Sequence, residues 1–410
     1  MFRRRWHSRP ASYIVIAKNT PGATFMPDIR ANDRSRLLMV VDRIVTDRWV
    51  QVLLFLALFL VVLEPTLIGQ VKDLVEWKTV GAICGLLAPA KTLELSGYLA
   101  IGARHMLYHC HTERRLALTL ILLSAVLSAW ITNDVALFII VPLTLSAARH
   151  SSLPVARLVI FEALAVNAGS SITAIGNPQN LFLWRVSGDS LLEFSLRMAP
   201  ASLLMMGIVV GLAFVAFSSR RLEIEESPDP EQRSKMLIAS GGALYIAFIT
   251  AMDTNHTFSG LTLVLAAVMV LSAISGRRIL STLDWGLVFA FILMFIDFRG
   301  LAQLPFINHF LHMLPLNSVQ GSFWAAAFGS QVISNVPATI TLAGFTQQWS
   351  ALAYGVNVGG FGLAIGSLAN LIALRQVSSP GLWLLFHRYS LIAWLFGAMA
   401  TSLLLYLQAH

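Results

Sequence analysis

From residue 49 to residue 407 the chain is a succession of apolar runs, most of them about as long as a bilayer core is thick. A spanning helix needs about 20 mostly apolar residues. Nine segments fit: 49–69, 79–93, 156–180, 197–218, 236–252, 259–275, 284–300, 351–374 and 383–407. The second is short and continues into an amphipathic stretch, 94–110. Two further apolar stretches, 116–148 and 320–348, are too long for one span, and polar residues interrupt each near its middle. Of 410 residues, 56% are hydrophobic and 12% charged, where a soluble domain carries about 25% charged. So few charges cannot clothe a soluble core. Despite a net charge of +8, an ordinary cytosolic enzyme and a nucleic-acid module are excluded, and an all-α polytopic membrane protein is expected. Cys84 and Cys110 are too few for a disulfide framework.

Residues 1–48 differ from the rest, with ten basic residues scattered among Pro, Ser, Asn and Asp. No apolar run of signal-peptide type follows Arg3–Arg5, and the segment reads as a basic cytoplasmic tail. With the tail inside, and both long broken stretches entering and leaving on one side, most basic residues fall on the cytoplasmic face. Only Lys72, Lys78, Lys91, Arg185, Arg197 and Arg299 do not. The positive-inside rule asks for such a bias. Treating the broken stretches as full spans would move 149–157, 220–235 and 277–278 outside. The charges therefore favour two re-entrant hairpins. The charged, Pro-containing loop 218–235 reads as a cytoplasmic linker.

The chain repeats itself. Ser128-Ala-Trp-Ile-Thr-Asn133 matches Ser330-Gln-Val-Ile-Ser-Asn335. Asn167–Asn180 matches Asn357–Asn370, with Asn167/Asn357, Gly169/Gly359, Ala174/Ala364, Ile175/Ile365, Gly176/Gly366 and Asn180/Asn370 identical. Trp77 and Trp285 each follow an acidic residue and open corresponding spans. Residues 49–218 thus form repeat one and 259–410 repeat two. The segment 219–258 holds the linker and a connecting helix that inverts the second copy. Inverted repeats with Gly/Pro-interrupted segments at matching places are the signature of a secondary transporter.

The interrupted segments carry the chemistry. Thr132-Asn133-Asp134, Ser334-Asn335-Val336-Pro337, Gly176-Asn177-Pro178-Gln179-Asn180 and Gly366-Ser367-Leu368-Ala369-Asn370 break otherwise apolar helices. Non-helical backbone at membrane depth persists only where protein buries it or a wet cavity meets it. Unwinding frees carbonyls for a cation and bares helix N-termini for an anion. Small residues and Asn, Ser and Thr also serve helix packing, which any one motif fits equally well. Asp134, Glu162 and Asp297 lie in apolar surroundings, where a carboxylate is a functional candidate and here a proton carrier. Asp134 also suits a helix cap, and Asp297 could pair with Arg299. His105, His109, Cys110, His111 and Glu113 crowd one end of the amphipathic stretch, and His309 and His312 its counterpart. These read as interfacial residues and not as a metal site. No Walker A, HExxH, nucleophile-elbow or CxxC sequence occurs, so neither ATP-driven transport nor proteolysis is expected.

Ser128–Asp134, Gly176–Asn180, Ser330–Pro337 and Gly366–Asn370 resemble the motifs of the ion transporter superfamily. The nearest branch holds arsenite pumps, sodium/proton antiporters and citrate-transporter-like permeases, above all bacterial inner-membrane permeases. The resemblance covers about residue 45 to the C-terminus. It implies scaffold and elevator-type transport domains, a multi-pass inner-membrane location and, in many members, a homodimer. In the dicarboxylate branch, Ser-Asn-Thr motifs at both hairpin tips bind carboxylate and help hold sodium. Here Thr132-Asn133 and Ser334-Asn335 would be the tips, with Gly176–Asn180 and Gly366–Asn370 their unwound partners. Asp134 and Val336 stand where that branch has Thr, which turns the expectation toward the antiporter or arsenite-pump side.

The candidate ion-binding set is Ser128, Thr132, Asn133, Asp134, Asn167, Gly169, Gly176, Asn177, Pro178, Asn180, Ser330, Ser334, Asn335, Pro337, Asn357, Gly359, Gly366, Ser367 and Asn370. The expected function is secondary active transport of a small anion or oxyanion, coupled to Na+ or H+. The alternatives are a sodium/proton antiporter using Asp134 and, from another class, a channel or sensor on the same scaffold. No cofactor, no resident metal and no nucleic-acid partner are expected.

Overall fold

A computed structural model describes residues 47–148, 153–222, 233–276, 279–377 and 379–408. The basic tail before Asp47, residues 223–232 of the linker, and Arg149, Arg277 and Arg278 lie outside the described residues. The described residues form eighteen α-helices and no strand. The first half contains α1 (Arg48–Leu63), α2 (Leu67–Leu74), α3 (Trp77–Leu95), α4 (Tyr98–Tyr108), α5 (Glu113–Ile131), α6 (Asn133–Ala147), α7 (Val155–Ser170), α8 (Pro178–Ser187) and α9 (Leu191–Ala216). Next come α10 (Lys235–Asp253) and α11 (Thr257–Ser275). The second half continues with α12 (Trp285–Gln303), α13 (Pro305–Met313), α14 (Val319–Ile333), α15 (Asn335–Leu342), α16 (Trp349–Gly359), α17 (Leu368–Arg375) and α18 (Leu382–Gln408).

Six helices are long and apolar enough to cross a membrane: α5, α9, α10, α11, α12 and α18. Their outward faces stay apolar, with Val215 88%, Ile246 68% and Leu384 77% exposed. Surface of this kind suits lipid and not water.

Three of the nine expected spans differ in the structure. The run 49–69 stops at Leu63, because Glu64-Pro65 follows and Pro65 has no N–H to continue the ladder. The run 156–180 divides after Ser170, and the run 351–374 divides after Gly359. Gly169 and Gly359-Gly360 lower the cost of leaving the helix, and Asn177 and Ser367 restart it from extended backbone.

Packing pairs elements both within and across the halves. Helix α5 packs on α7 and α14 on α16; α1 packs on α12 and α3 on α11; α9 packs on α18. Where α5 meets α7, a Cβ added to Gly169 would lie 2.3 Å from the Ala125 carbonyl oxygen. Where α14 meets α16, a Cβ on Gly359 would lie 2.4 Å from Ser330 Cβ. In lipid, close backbone approach of this kind supplies the dispersion contact that holds helices together. Helices α3 and α12 bring these inner helices against the outer ones, since α3 touches α8 and α12 touches α15.

Candidate functional site

Two helix pairs each turn on one residue. Between α5 and α6 the turn is Thr132, at φ 96° and ψ 151°; between α14 and α15 it is Ser334, at φ 75° and ψ 156°. Among the described residues only one other non-glycine, Asn255, has a positive φ. Such backbone costs of order 1–3 kcal/mol at a residue with a side chain, so the surroundings impose it twice. The residue that follows behaves alike in both places. Asn133 Oδ1 accepts from Asp134 N–H at 3.0 Å, and Asn335 Oδ1 accepts from Val336 N–H at 2.9 Å. Both asparagines are buried. Among the described residues nothing accepts from either side-chain amide nitrogen.

The two unwound segments lie between α7 and α8 and between α16 and α17. The asparagines that flank them pair reciprocally. Asn167 Nδ2 donates to Asn370 Oδ1 at 2.8 Å, and Asn357 Nδ2 donates to Asn180 Oδ1 at 2.7 Å. In each pair the asparagine before one break holds the asparagine after the other. The same donors also reach the carbonyls four residues back, Ala163 and Ala353. Asn180 returns to the carbonyls of Ser171 and Thr173, and Asn370 to that of Gly360. Asn177 Nδ2 adds a bond to Asn357 Oδ1 at 3.0 Å, and its own Oδ1 caps Asn180 N–H. The first hairpin tip joins this network through Asn133 N–H, which donates to the Gly176 carbonyl at 2.9 Å. Pro178 opens α8 at the one helical position where its missing N–H is not needed. A small cleft beside the network is lined by Thr79, Pro178, Gln179, Phe295, Val336 and Thr339, with Phe182, Phe291 and Ile340.

A model of a citrate transporter family (CitMHS) matches residues 37–351, well over half the chain. The chain belongs to this citrate transporter family. It is 41% identical to the inner membrane protein YbiR of Escherichia coli (strain K12) over 360 residues, 88% of this chain and 95% of that protein. An uncharacterized transporter of Methanocaldococcus jannaschii is 32% identical over 328 residues, 79% of this chain and 88% of the relative. A putative transporter of Dictyostelium discoideum, arsB, shares 23% over 133 residues, 32% of this chain and 23% of the relative. This member of the citrate transporter family is thus a multi-pass inner-membrane transporter.

Of the sequence candidates of this family member, only Pro178 lines the cleft. Ser128 and Ser330 donate to carbonyls of their own helices, Ala125 and Ala326. Gly169 and Gly359 act through close packing. Gly176 and Gly366 lie in the unwound segments, against the Ser170 and Gly359 carbonyls. Pro337 sits in the first turn of α15, and Ser367 sits at the start of α17 without a capping bond.

Asp134 lies in the first turn of α6, where Thr132 is the cap residue, and Asp134 Oδ1 is buried with no hydrogen-bond partner. Glu162, fully buried in α7, takes a 2.5 Å bond from Thr144 Oγ1 on α6, and its Oε2 has no partner. Asp297 is fully buried on α12 with both oxygens unpartnered. It does not pair with Arg299, whose guanidinium donates instead to the Leu74 carbonyl at the end of α2.

Among the described residues no three His, Cys, Asp or Glu side chains group as a metal site. His105 and His109 stack edge-on, and His109 Nδ1 meets the His105 carbonyl. His312 Nδ1 meets the Asn308 carbonyl in the same way.

Sequence reasoning passed over several residues of this network. Gln331 clamps the second unwound segment, its Nε2 donating to the Gly359 carbonyl and its Oε1 accepting from Leu363 N–H, both at 2.6 Å. Thr173, at the position matching Leu363, donates to the Ala129 carbonyl at 2.6 Å. Gln179 Oε1 is buried and unpartnered beside the cleft. Gln331 and Gln179 both lie inside the repeated motifs. Being buried amides in an apolar chain, they carried the same signal as the asparagines.

Proposed function

We propose that the chain is a secondary active transporter of a small anion or oxyanion, carboxylate-like or arsenite-like, built from two inverted repeats and driven by protons or sodium. The reciprocal bonds Asn167 to Asn370 and Asn357 to Asn180 carry this reading. Helix packing by small polar residues needs no matched exchange between two breaks, whereas one central site formed by two related halves does. Four helices, α6, α8, α15 and α17, begin at the breaks. Their N-terminal N–H groups and dipoles favour an anion, and the free amide donors of Asn133 and Asn335 suit carboxylate or oxyanion oxygens. The family's description as citrate transporters points the same way.

In this reading, the inner helices α5–α9 and α14–α18 are the moving unit and the outer helices α1, α3, α10, α11 and α12 its scaffold. Binding at the breaks would be followed by an elevator-type shift past α3 and α12. The tail and the linker would face the cytoplasm. A homodimer would let two scaffolds brace each other, and Na+ or H+ would supply the driving gradient.

Asp134 is the coupling residue of choice, because it adjoins the first tip and one oxygen lacks a partner. The same observation supports the second reading, a sodium/proton antiporter with Asp134 as exchange carboxylate. Counterflow in proteoliposomes loaded with citrate, other carboxylates or arsenite tests transport. Trans-stimulated exchange is expected, and a channel would give none. An antiporter would instead change internal pH on sodium addition with no anion present. Asp134→Asn is expected to leave exchange measurable while removing its dependence on the proton or sodium gradient. Unchanged ion dependence in that variant would end the coupling role.

A further inference from the structure

Helix α18 carries a histidine that the transport reading does not use. His387 lies in its second turn, and its ring bridges two backbone groups. Nδ1 sits 2.7 Å from the Trp383 carbonyl oxygen, and Nε2 accepts from Ala364 N–H at 3.2 Å. A carbonyl only accepts, so the hydrogen is on Nδ1. An amide N–H only donates, so Nε2 presents its lone pair. The two bonds together select the neutral tautomer with hydrogen on Nδ1. A proton added at Nε2 converts that acceptor into a donor aimed at another donor, and the Ala364 bond is lost.

Ala364 opens the 3-10 turn Ala364–Gly366, inside the unwound segment that leads to Ser367 and Asn370. The side chains that hold this segment are Gln331, Asn370 and His387. Of these side chains, His387 alone offers a nitrogen lone pair that can take up a proton. In the first half, among the described residues, no side chain accepts from Ala174, the position matching Ala364. The device therefore belongs to one half.

Competing charges are committed elsewhere. The segment 360–367 and α14 contain no Asp, Glu, Lys, Arg or His. On α16, Tyr354 donates to the Arg197 carbonyl. On α7, Glu162 takes its bond from Thr144, and Arg157 donates to the Ala216 carbonyl. On α9, Glu193 pairs with Ser190 and Arg197 with Asp189. Arg388 is the chain neighbour of His387 and is exposed.

We propose that His387 is a positioning residue: neutral, it pins the second unwound segment, and protonated, it releases that segment, loosening the placement of Ser367 and Asn370. This rests on the transport reading only for its consequence, since the release itself is a property of the backbone. An imidazole takes up a proton as pH falls and an amide side chain does not, so release follows acidification.

Hydrogen–deuterium exchange of the purified protein tests it, at about pH 7.5 and about pH 5.5, either side of imidazole titration, with rates corrected for intrinsic exchange. The peptide covering 360–367 is expected to lose protection at the lower pH by roughly fivefold, the factor one net hydrogen bond supplies. The peptide covering 170–177 serves as internal reference and should not change. His387→Gln, which keeps an acceptor and cannot take the proton, should make 360–367 indifferent to pH. Equal protection of 360–367 at both pH values in the wild type would overturn the proposal, whether or not the variant folds. So would a His387→Gln protein that loosens as the wild type does. Neither readout needs a substrate, so failure here is distinct from failure of counterflow.

Discussion

At the first helix break, Thr132 turns at positive φ, Asn133 caps the next N–H, and an acid follows in Asp134. At the second, Ser334 turns at positive φ, Asn335 caps the next N–H, and Val336 follows. Ten residues further along each chain segment the contrast recurs. Thr144 meets the carboxylate of Glu162, while Thr346, its match at the same spacing, meets the hydroxyl of Ser322 and the carbonyl of Leu316. The unwound segments differ as well. The first is held by Thr173, Asn177 and Asn180, the second by Gln331, Asn370 and His387. Backbone shape and the asparagine pairs are shared; ionisable groups are not. The shared part is what a ligand cradle needs. The unshared part places Asp134 and Glu162 in one half and the His387 clamp in the other, so in the proposed reading ligand geometry and response to protons reside in different residues.

The largest effect expected from breaking the shared part is at the glycines. At Gly169 an added methyl would meet the Ala125 backbone, which cannot rotate away. At Gly359 it would meet the Ser330 side chain. Gly169→Ala should cost about 3 kcal/mol or more and Gly359→Ala about 1–2 kcal/mol, the two ends of the overpacking range. Gly207→Ala, with nothing within 4 Å, should leave stability unchanged. Thermal unfolding in detergent measures all three. Equal losses at Gly169 and Gly359 would mean that the two interfaces are more alike than their contacts indicate.

Next come the asparagine pairs. Asn357 serves Asn177, Gln179 and Asn180, whereas Asn167 serves Asn370 alone among side chains. Each buried amide left unpaired costs about 1–3 kcal/mol. Asn357→Ala should therefore destabilise more than Asn167→Ala, by roughly one such unpaired group. Both should depress counterflow more than they depress stability, because each distorts the start of a half-helix in the other half. A double-mutant cycle between Asn167 and Asn370 should show coupling of at least about 0.5 kcal/mol, as residues in contact do.

Much of this was legible in the residues. Apolar run length marked the spans, because lipid tolerates little else. The duplicated Asn-Gly motifs marked the breaks, because unwound backbone in a bilayer needs amides and small residues. The positions of the breaks within 156–180 and 351–374 were less legible. They begin at Ser170 and Gly359, six or seven residues before the motif glycines, where tertiary bonds from Asn180 and Gln331 replace the helical ladder. The roles of Ser128 and Ser330 were also hidden, since a hydroxyl that bonds its own helix looks in sequence like one that faces a ligand. His387 lies outside every repeated motif, and only the fold brings its ring to Ala364.

The smallest expected effect sharpens the shared part where no ligand is involved. Trp77 and Trp285 open α3 and α12 after cap residues of nearly identical backbone, Glu76 at φ −83° and ψ 82° and Asp284 at φ −81° and ψ 78°. Each indole Nε1 donates to the carbonyl five residues earlier, Lys72 at 3.0 Å and Leu280 at 2.9 Å. Replacement by Phe keeps a ring and removes only that donor, so each variant should lose about 0.5–1.5 kcal/mol, the net worth of one hydrogen bond. The Asp284 carboxylate also caps Leu287 N–H, a bond that Glu76 does not make at its own helix. The extra cap already fixes the chain entering α12, so Trp285→Phe should sit at the lower end of the range and Trp77→Phe at the upper. Melting curves of the two variants would read that difference. The reverse order would mean that the indole, and not the acid before it, sets the entry into the second of these helices.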